Sequence, residues 1–176
     1  MKKATLAVSL LCGGLLIMAG SAHAETVKTP VNMISADGVG QEIGFITFED
    51  GEGGMDILVD LAGLPQGPHG MHIHQNATCA PAEQDGKMAA GLAAGGHYDP
   101  KMTNRHAGPG KGGHLGDLPL ITADDKGGAK AKLHVAGLQT KDIKGRSVVI
   151  HSGGDNYSDN PPLGGGGARI ACGVIK

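Results

Sequence analysis

Residues 69–74 read HGMHIH, and this short stretch already indicates both the fold and the chemistry. Met71 and Ile73 alternate with His72 and His74, which is the period-two pattern of a β-strand with one apolar and one polar face. Two histidines separated by one residue on a strand lie about 6–7 Å apart on the same face. That spacing suits the chelation of one metal ion; the alternative is a pair of surface histidines.

The same alternation recurs in segments 55–61, 146–151 and 168–175, and more weakly in 26–35, 43–49 and 129–135. In the 168–175 segment, Ile170 and Cys172 are expected to face the core and Arg169 the opposite side. DDKGG at 124–128 predicts a hairpin turn. The 176 residues include 32 glycines and nine prolines, the two poorest helix formers. The prediction is an all-β fold with glycine-rich turns.

Two long loops, 75–117 and 152–167, separate the predicted strands, and loops of this length in a compact domain are usually functional. The first ends in HYDPKMTNRHAGPGKGGHLGD, residues 97–117, which contains four side chains able to bind a metal: His97, His106, His114 and Asp117. Three imidazole nitrogens and one carboxylate oxygen complete a tetrahedral zinc site. The alternative is a solvated polar loop, although such a loop has few core residues and a metal ion would stabilise it.

His72, His74 and His151 remain outside this zinc set. Three imidazoles with an open position form a reactive site, either for zinc hydrolysis or for copper redox chemistry. Because an imidazole has two ring nitrogens, one histidine can serve two metals at once. A shared histidine would give the second metal four nitrogens, an arrangement that favours copper(II).

The N-terminus has the pattern of a secretory signal. Lys2 and Lys3 precede an apolar run from about residue 4 to 19, and Ala22-His23-Ala24 has the small-x-small form of a cleavage site. Residues 1–24 are therefore predicted to be a cleaved signal peptide, with cleavage after Ala24, and residues 25–176 a single domain. No later segment is long and apolar enough to span a membrane, so no membrane association is expected after cleavage.

Cysteine usage agrees with export. Cys12 lies in the predicted signal, so Cys79 and Cys172 are the pair that remains, and an even pair in an oxidising compartment predicts a disulfide bond. The alternative is two free buried thiols. Aromatic residues are 2% of the chain, and no basic run occurs, so nucleic-acid binding is not expected.

Five motifs, in this order, resemble the copper,zinc superoxide dismutases, most closely their exported bacterial branch: GMHIHQ, GGHYDP, GGHLGDLP, VVIHSGGDNYSD and LGGGGARIACGVI. The resemblance extends from about residue 30 to Lys176. It implies an eight-stranded Greek-key β-sandwich or flattened barrel with two long functional loops. It also implies one copper and one zinc ion per subunit. The implied copper ligands are His72, His74, His97 and His151, and the implied zinc ligands are His97, His106, His114 and Asp117, with His97 bridging the two metals.

The resemblance implies further roles. Arg169 would guide and hold the superoxide anion, and His97 would exchange a proton during turnover. Asp155, with Asp159 as the alternative, would link a copper histidine to a zinc histidine. Lys87 would steer the substrate, unless it is an ordinary solvated lysine. His69 and His134 match no ligand position and are expected to be strand-end and surface histidines.

The implied function is dismutation of superoxide to oxygen and hydrogen peroxide, as antioxidant defence in the periplasm, by a monomer or homodimer. Two other classes of function remain open. A copper or zinc store needs the ligands but no arginine that guides an anion. A zinc hydrolase needs a general base, and Asp117, the plausible carboxylate, is already assigned to zinc.

Overall fold

The computed structural model describes residues 24–176, so the predicted signal peptide and Cys12 lie outside the described residues, apart from Ala24. The strands are β1 (Thr26–Ser35), β2 (Gly38–Gly51), β3 (Gly54–Leu61), β4 (Gly67–His69), β5 (Met71–His74), β6 (Ala82–Gln84), β7 (Lys87–Ala89), β8 (Ile121–Ala123), β9 (Ala129–Ala136), β10 (Arg146–His151) and β11 (Arg169–Ile175). One short helix, α1 (Thr140–Ile143), and two 3-10 turns, Leu92–Ala94 and Pro162–Gly165, complete the described elements. The expected all-β class is confirmed.

Seven strands form the main antiparallel sheet, in the order β5-β10-β11-β1-β2-β3-β9. Strands β4 and β8 form a separate two-stranded ladder, as do β6 and β7. The expected eight-strand count and Greek-key order are not established by this arrangement and remain predictions. The 124–128 turn is present, since the Asp124 carboxylate accepts hydrogen bonds from the amides of Lys126 (2.9 Å) and Gly128 (2.8 Å). However, the strands on either side of the turn, β8 and β9, belong to different ladders.

One continuous core lies on the inner face of the main sheet. The alternation predicted for 55–61 is confirmed, because Met55, Ile57, Val59 and Leu61 are all buried. Met71 and Ile73 of β5 belong to the same cluster as Val135 of β9, although these two strands are at opposite ends of the sheet. The sheet must therefore curl to enclose its core.

A register shift changes the expected faces of β11. Strict alternation placed Arg169 and Cys172 on opposite faces of the strand. However, Cys172 pairs with Val149, Ala171 with Ile150 and Arg169 with His151. Ile170 therefore has no partner and is an extra, bulged residue. The main core consequently receives Ala171. Arg169 and Cys172 both reach the loop after β5, which covers the outer face. The predicted core-facing position of Cys172 was wrong.

The predicted disulfide between Cys79 and Cys172 is present. It lies in a second, smaller apolar cluster that also contains Ile34, Ala94 and Val149. This cluster fastens the loop after β5 onto the outer face of β1, β10 and β11. Among residues 24–176, no helix has the length and apolar character needed to cross a membrane.

Cys79→Ser should lower the stability of the fold. The bond closes a span of 93 residues, which in the chain-entropy model corresponds to roughly 4–5 kcal/mol. Denaturant unfolding should show a lower midpoint for the variant, and wild-type protein treated with a reductant should match it. Equal midpoints for oxidised and reduced wild type would contradict this stabilising role.

Candidate metal centre

Four histidines from strand ends and loops meet at the β5 edge of the main sheet. His72 and His74 come from β5, His151 ends β10, and His97 lies opposite His74 in an isolated β-bridge. Each offers one ring nitrogen, and these four nitrogens all lie within 4.8 Å of one another. All four residues are buried.

The nitrogens at the centre of this group lack hydrogen-bond partners among the described residues. They are Nδ1 of His72 and Nε2 of His74, His97 and His151. Burying a polar atom without a partner is costly, about 1–3 kcal/mol per group. Four such atoms that converge on one point are the arrangement expected around a metal ion.

The opposite ring nitrogens of three of these histidines are occupied. Nε2 of His72 donates to the Asp155 carboxylate at 2.8 Å, Nδ1 of His74 to the carbonyl of Gly95 at 2.9 Å, and Nδ1 of His151 to the carbonyl of Gly167 at 3.2 Å. A nitrogen that donates must bear the proton in a neutral imidazole. The converging nitrogen of each ring is therefore the one with a free lone pair, as a metal ligand must be.

The electrostatics of the metal-free site also favour neutral rings. Burial, together with the nearby positive charge of other histidines and of Arg169, lowers the pKa of His74 well below its usual value. The same causes, burial first, lower the pKa of His151 to about 3. For His97, burial outweighs the opposing contact with Asp117 and lowers the pKa to about 4. At neutral pH these three rings are therefore available as ligands.

A second group lies on the other side of His97. Oδ1 of Asp117 is 3.2 Å from Nδ1 of His97, 2.9 Å from Nδ1 of His106 and 3.3 Å from Nδ1 of His114. Ligands of a tetrahedral zinc ion are separated by roughly 3.3 Å, given Zn–N and Zn–O distances near 2.0–2.1 Å. The spacing therefore fits zinc. Although Nδ1 of His106 is this close to the Asp117 oxygen, the contact does not have the geometry of a hydrogen bond, and the nitrogen has no hydrogen-bond partner among the described residues.

His97 belongs to both groups, and its two nitrogens face different partners. Nδ1 lies in the group with Asp117, whereas Nε2 lies in the group with His74 and His151. This is the shared-ligand geometry that the sequence resemblance implies.

Backbone amides hold Asp117 in place. Its second oxygen, Oδ2, accepts from the amides of Ala107 and Gly108 at 3.2 Å each. Burial alone would raise the pKa of Asp117, but hydrogen bonding to His97 and the nearby histidine charges lower it. The carboxylate is therefore ionised, with Oδ1 turned toward the three histidines.

Asp155 connects the two groups. Its Oδ2 accepts from Nε2 of His72 and its Oδ1 from Nε2 of His106, both at 2.8 Å, and Oδ1 also accepts from the Tyr157 amide at 2.7 Å. Although burial raises its pKa, these hydrogen bonds hold the pKa of Asp155 well below the usual range. Asp159, the other candidate, instead accepts from the backbone amide of His106 at 2.9 Å.

Arg169 lies beside the first group. A cavity of about 280 Å³ is lined by Arg169, His74, His97 and His151, with the 162–167 segment on its other side. The guanidinium donates to the carbonyls of Gly91 at 2.6 Å and Gly95 at 2.7 Å. The Gly95 carbonyl, which also accepts from His74, was not identified from the sequence, because a backbone acceptor leaves no signature in residue type.

The remaining sequence-predicted residues lie elsewhere. Lys87 is exposed on β7 and does not line the cavity beside Arg169, so its steering role stays a prediction. His69 is buried at the end of β4, and its ring nitrogens lie 2.7 Å from the carbonyls of His151 and Pro65. His134 contacts Asp56 at 2.8 Å on the exposed face of β9. Neither histidine belongs to the metal-competent groups.

Comparison with known proteins agrees with this geometry. A family model described as copper/zinc superoxide dismutase matches residues 42–175. The chain is 48% identical over 171 residues to a copper-zinc superoxide dismutase, number 2, of Salmonella typhimurium, covering 96% of this chain and 98% of that protein. The chain therefore belongs to the copper/zinc superoxide dismutase family.

Solved structures show the same relationship. Copper/zinc superoxide dismutase from Brucella abortus superposes with a TM-score of 0.84 at 45% identity, over 86% of this chain and 100% of that one. The solution structure of the monomeric copper, zinc enzyme from Salmonella enterica gives a TM-score of 0.77 at 47% identity, with the same coverage. Within the family, this chain is thus similar to bacterial members over nearly its whole described length.

Asp155→Asn should weaken the binding of both metals. One carboxylate oxygen becomes an amide that points N–H at a histidine N–H, and loss of such a partner typically reduces metal affinity about 10–100-fold. Competition with chelators would measure copper and zinc affinity separately. Asp159→Asn is the matched control, because its amide oxygen can still accept from His106. A larger loss in the control than in Asp155→Asn would contradict the linking role.

Proposed function

We propose that this protein dismutates superoxide in the periplasm, with copper held by His72, His74, His97 and His151 and zinc held by His97, His106, His114 and Asp117. The observation that best supports this is a group of four converging, unpartnered imidazole nitrogens, three of whose histidines line one small cavity together with the Arg169 guanidinium. The nitrogens suit a redox-active copper ion. The guanidinium suits a small anion that reaches it.

Copper, when bound, supplies one-electron redox chemistry, by which two superoxide ions and two protons become one oxygen molecule and one hydrogen peroxide molecule. The protein residues attract the anion, orient it and handle the protons. Arg169 stays charged at any working pH and offers several donors to the anion. Its hydrogen bonds to the Gly91 and Gly95 carbonyls fix its position in the cavity wall.

His97 is the residue assigned to proton exchange, at Nε2. This nitrogen faces the cavity group and has no other hydrogen-bond partner among the described residues. Nδ1 of the same ring is held in the zinc group, so the ring keeps its orientation while Nε2 gains or loses a proton. Zinc, Asp117 and Asp155 then serve to hold His97 and the loop around it.

The two other classes of function receive less support. A metal store has no use for a guanidinium held over an accessible cavity beside the ligands. A zinc hydrolase requires a free general base, but Asp117 lies within the zinc group and Asp155 accepts from two histidines. Neither carboxylate is free to take a proton from water.

The periplasmic location rests on the N-terminal sequence and on the disulfide, which persists in oxidising compartments. Protein recovered from the periplasm should begin at Glu25 by N-terminal sequencing. Ala24→Leu should leave an unprocessed precursor, since a large residue disfavours cleavage. Full-length wild-type protein found in the cytoplasm would contradict the proposal.

Arg169→Gln should reduce the dismutation rate about 10-fold or more, because electrostatic steering of a charged substrate contributes at least that factor. The wild-type rate should fall as ionic strength rises, whereas the variant should respond less, since screening acts on the charge that was removed. Both rates are measured at several salt concentrations, with copper and zinc content determined each time.

Lys141→Gln is the matched control, since it removes one positive charge from an exposed position on α1 that does not line the cavity. This control should retain the wild-type rate and salt response. Equal rates for Arg169→Gln and wild type at full metal content would show that Arg169 has no role in guiding the substrate, and would favour the alternative that the protein is a metal store.

A further inference from the structure

The four proposed zinc ligands differ in their access to solvent. The side chains of His106 and Asp117 are 0% exposed and that of His97 is 1% exposed, whereas that of His114 is 9% exposed. A metal ion that enters or leaves a buried site needs a path past the least enclosed ligand. His114 is that ligand here.

His114 opens onto a cavity of about 320 Å³ that lies apart from the one beside Arg169. The two cavities have no lining residue in common. The cavity beside His114 is bounded on one side by the 110–113 turn and on the other by the end of β9 and Leu138.

Asp99 gives this second cavity a metal-competent side chain outside the ligand set. Its Oδ2 accepts from the Thr103 hydroxyl at 3.2 Å and from the Asn104 amide at 2.8 Å. Its Oδ1 is buried and has no hydrogen-bond partner among the described residues. A carboxylate with one unpartnered oxygen, on the same cavity as His114, could hold a zinc ion in transit once a small shift of the cavity wall uncovers that oxygen.

The outer wall of the cavity is thinly packed. Gly110 and Gly112 have φ angles of +66° and +76°, and no atom lies within 4 Å of where a Cβ would project from either residue. A wall built from such glycines can shift without losing side-chain contacts. The opposite wall, at Val135 and Leu138, is buried and belongs to the main core.

We infer that zinc enters and leaves through the cavity beside His114, with Asp99 as a transient ligand, while the cavity beside Arg169 serves copper and substrate. This inference rests on the proposed zinc site. It assigns the two metals separate routes on different sides of the shared His97.

The test uses the full mature protein with both metals bound, as verified by mass spectrometry. Zinc release is followed with a chromogenic chelator in excess, and zinc uptake by the zinc-depleted protein with inorganic zinc. Ala136→Trp places a large ring at the cavity rim, on an exposed residue. Because a barrier on a route acts in both directions, uptake and release should slow by the same factor, roughly tenfold, with zinc affinity unchanged.

Leu163→Trp is the matched control, because it adds the same ring to the other cavity at a residue that is 45% exposed. It should leave both zinc rates unchanged and slow copper uptake instead. If Ala136→Trp fails to fold, Lys101→Trp is used instead, since Lys101 also lies on the rim of the cavity beside His114. Asp99→Asn should slow zinc uptake and release together, whereas Asp85→Asn, which removes the same charge from the β6–β7 turn, should not.

Two results would overturn the route. The first is that both rim variants, Ala136→Trp and Lys101→Trp, take up and release zinc at the wild-type rates. The second is that Leu163→Trp slows zinc exchange. A change in release alone would mean that the rim variants alter zinc binding rather than the path. Failure of the proposed zinc site has a different signature, because wild-type protein would then hold no zinc even after prolonged loading. Failure of the proposed dismutation would instead appear as protein that carries both metals but does not consume superoxide.

Discussion

Five ring nitrogens from buried histidines point into two adjacent groups of metal-competent side chains without hydrogen-bond partners among the described residues. This is the constraint on which the rest of the structure depends, because each unpartnered buried group costs about 1–3 kcal/mol. Two bound cations would remove that cost and add to the stability of the fold. The site would therefore contribute to folding energetics as well as to chemistry, and His97, which belongs to both groups, would be shared by the two cations.

The surrounding loops are held by a small number of strong ties rather than by a broad apolar core. The Cys79–Cys172 bond fixes the loop after β5, and Asp155 ties the 152–167 loop to histidines of both metal groups. Tyr157 adds a further tie, since its hydroxyl accepts from the Leu120 amide at 2.9 Å. A chain with 32 glycines can form such loops because glycine adopts the turn conformations they require. The same composition leaves the loops dependent on these ties.

The same contacts also fix the position of the Arg169 guanidinium. Its guanidinium is held by the carbonyls of Gly91 and Gly95, and both belong to the loop that the disulfide fastens. Gly95 additionally holds the His74 ring through the same carbonyl oxygen. A proposed copper ligand, the arginine proposed to guide the anion and the disulfide loop are thus mechanically connected. Loosening the loop should disturb the ligand and the arginine together.

The sequence by itself determined the all-β class, the positions of the main strands, the ligand residues as candidates and the disulfide pairing. These follow from local properties: period-two alternation, glycine-rich turns, and the number and type of metal-competent side chains. The alternation in 55–61 and 69–74 predicted the correct faces because regular pairing preserves the period. The match to five ordered motifs supplied the family and the proposal that His97 is shared.

Only the tertiary structure decided that Cys172 shares the outer face with Arg169, because a single bulged residue at Ile170 shifts the period and no local sequence pattern predicts the bulge. It also decided between Asp155 and Asp159, which are four residues apart in the same loop and alike in chemistry. The backbone acceptors at Gly91, Gly95 and Gly167 could not be predicted either, since every residue has a carbonyl and its direction depends on the folded chain. Sequence thus specified which side chains were available, and long-range packing specified where their atoms point.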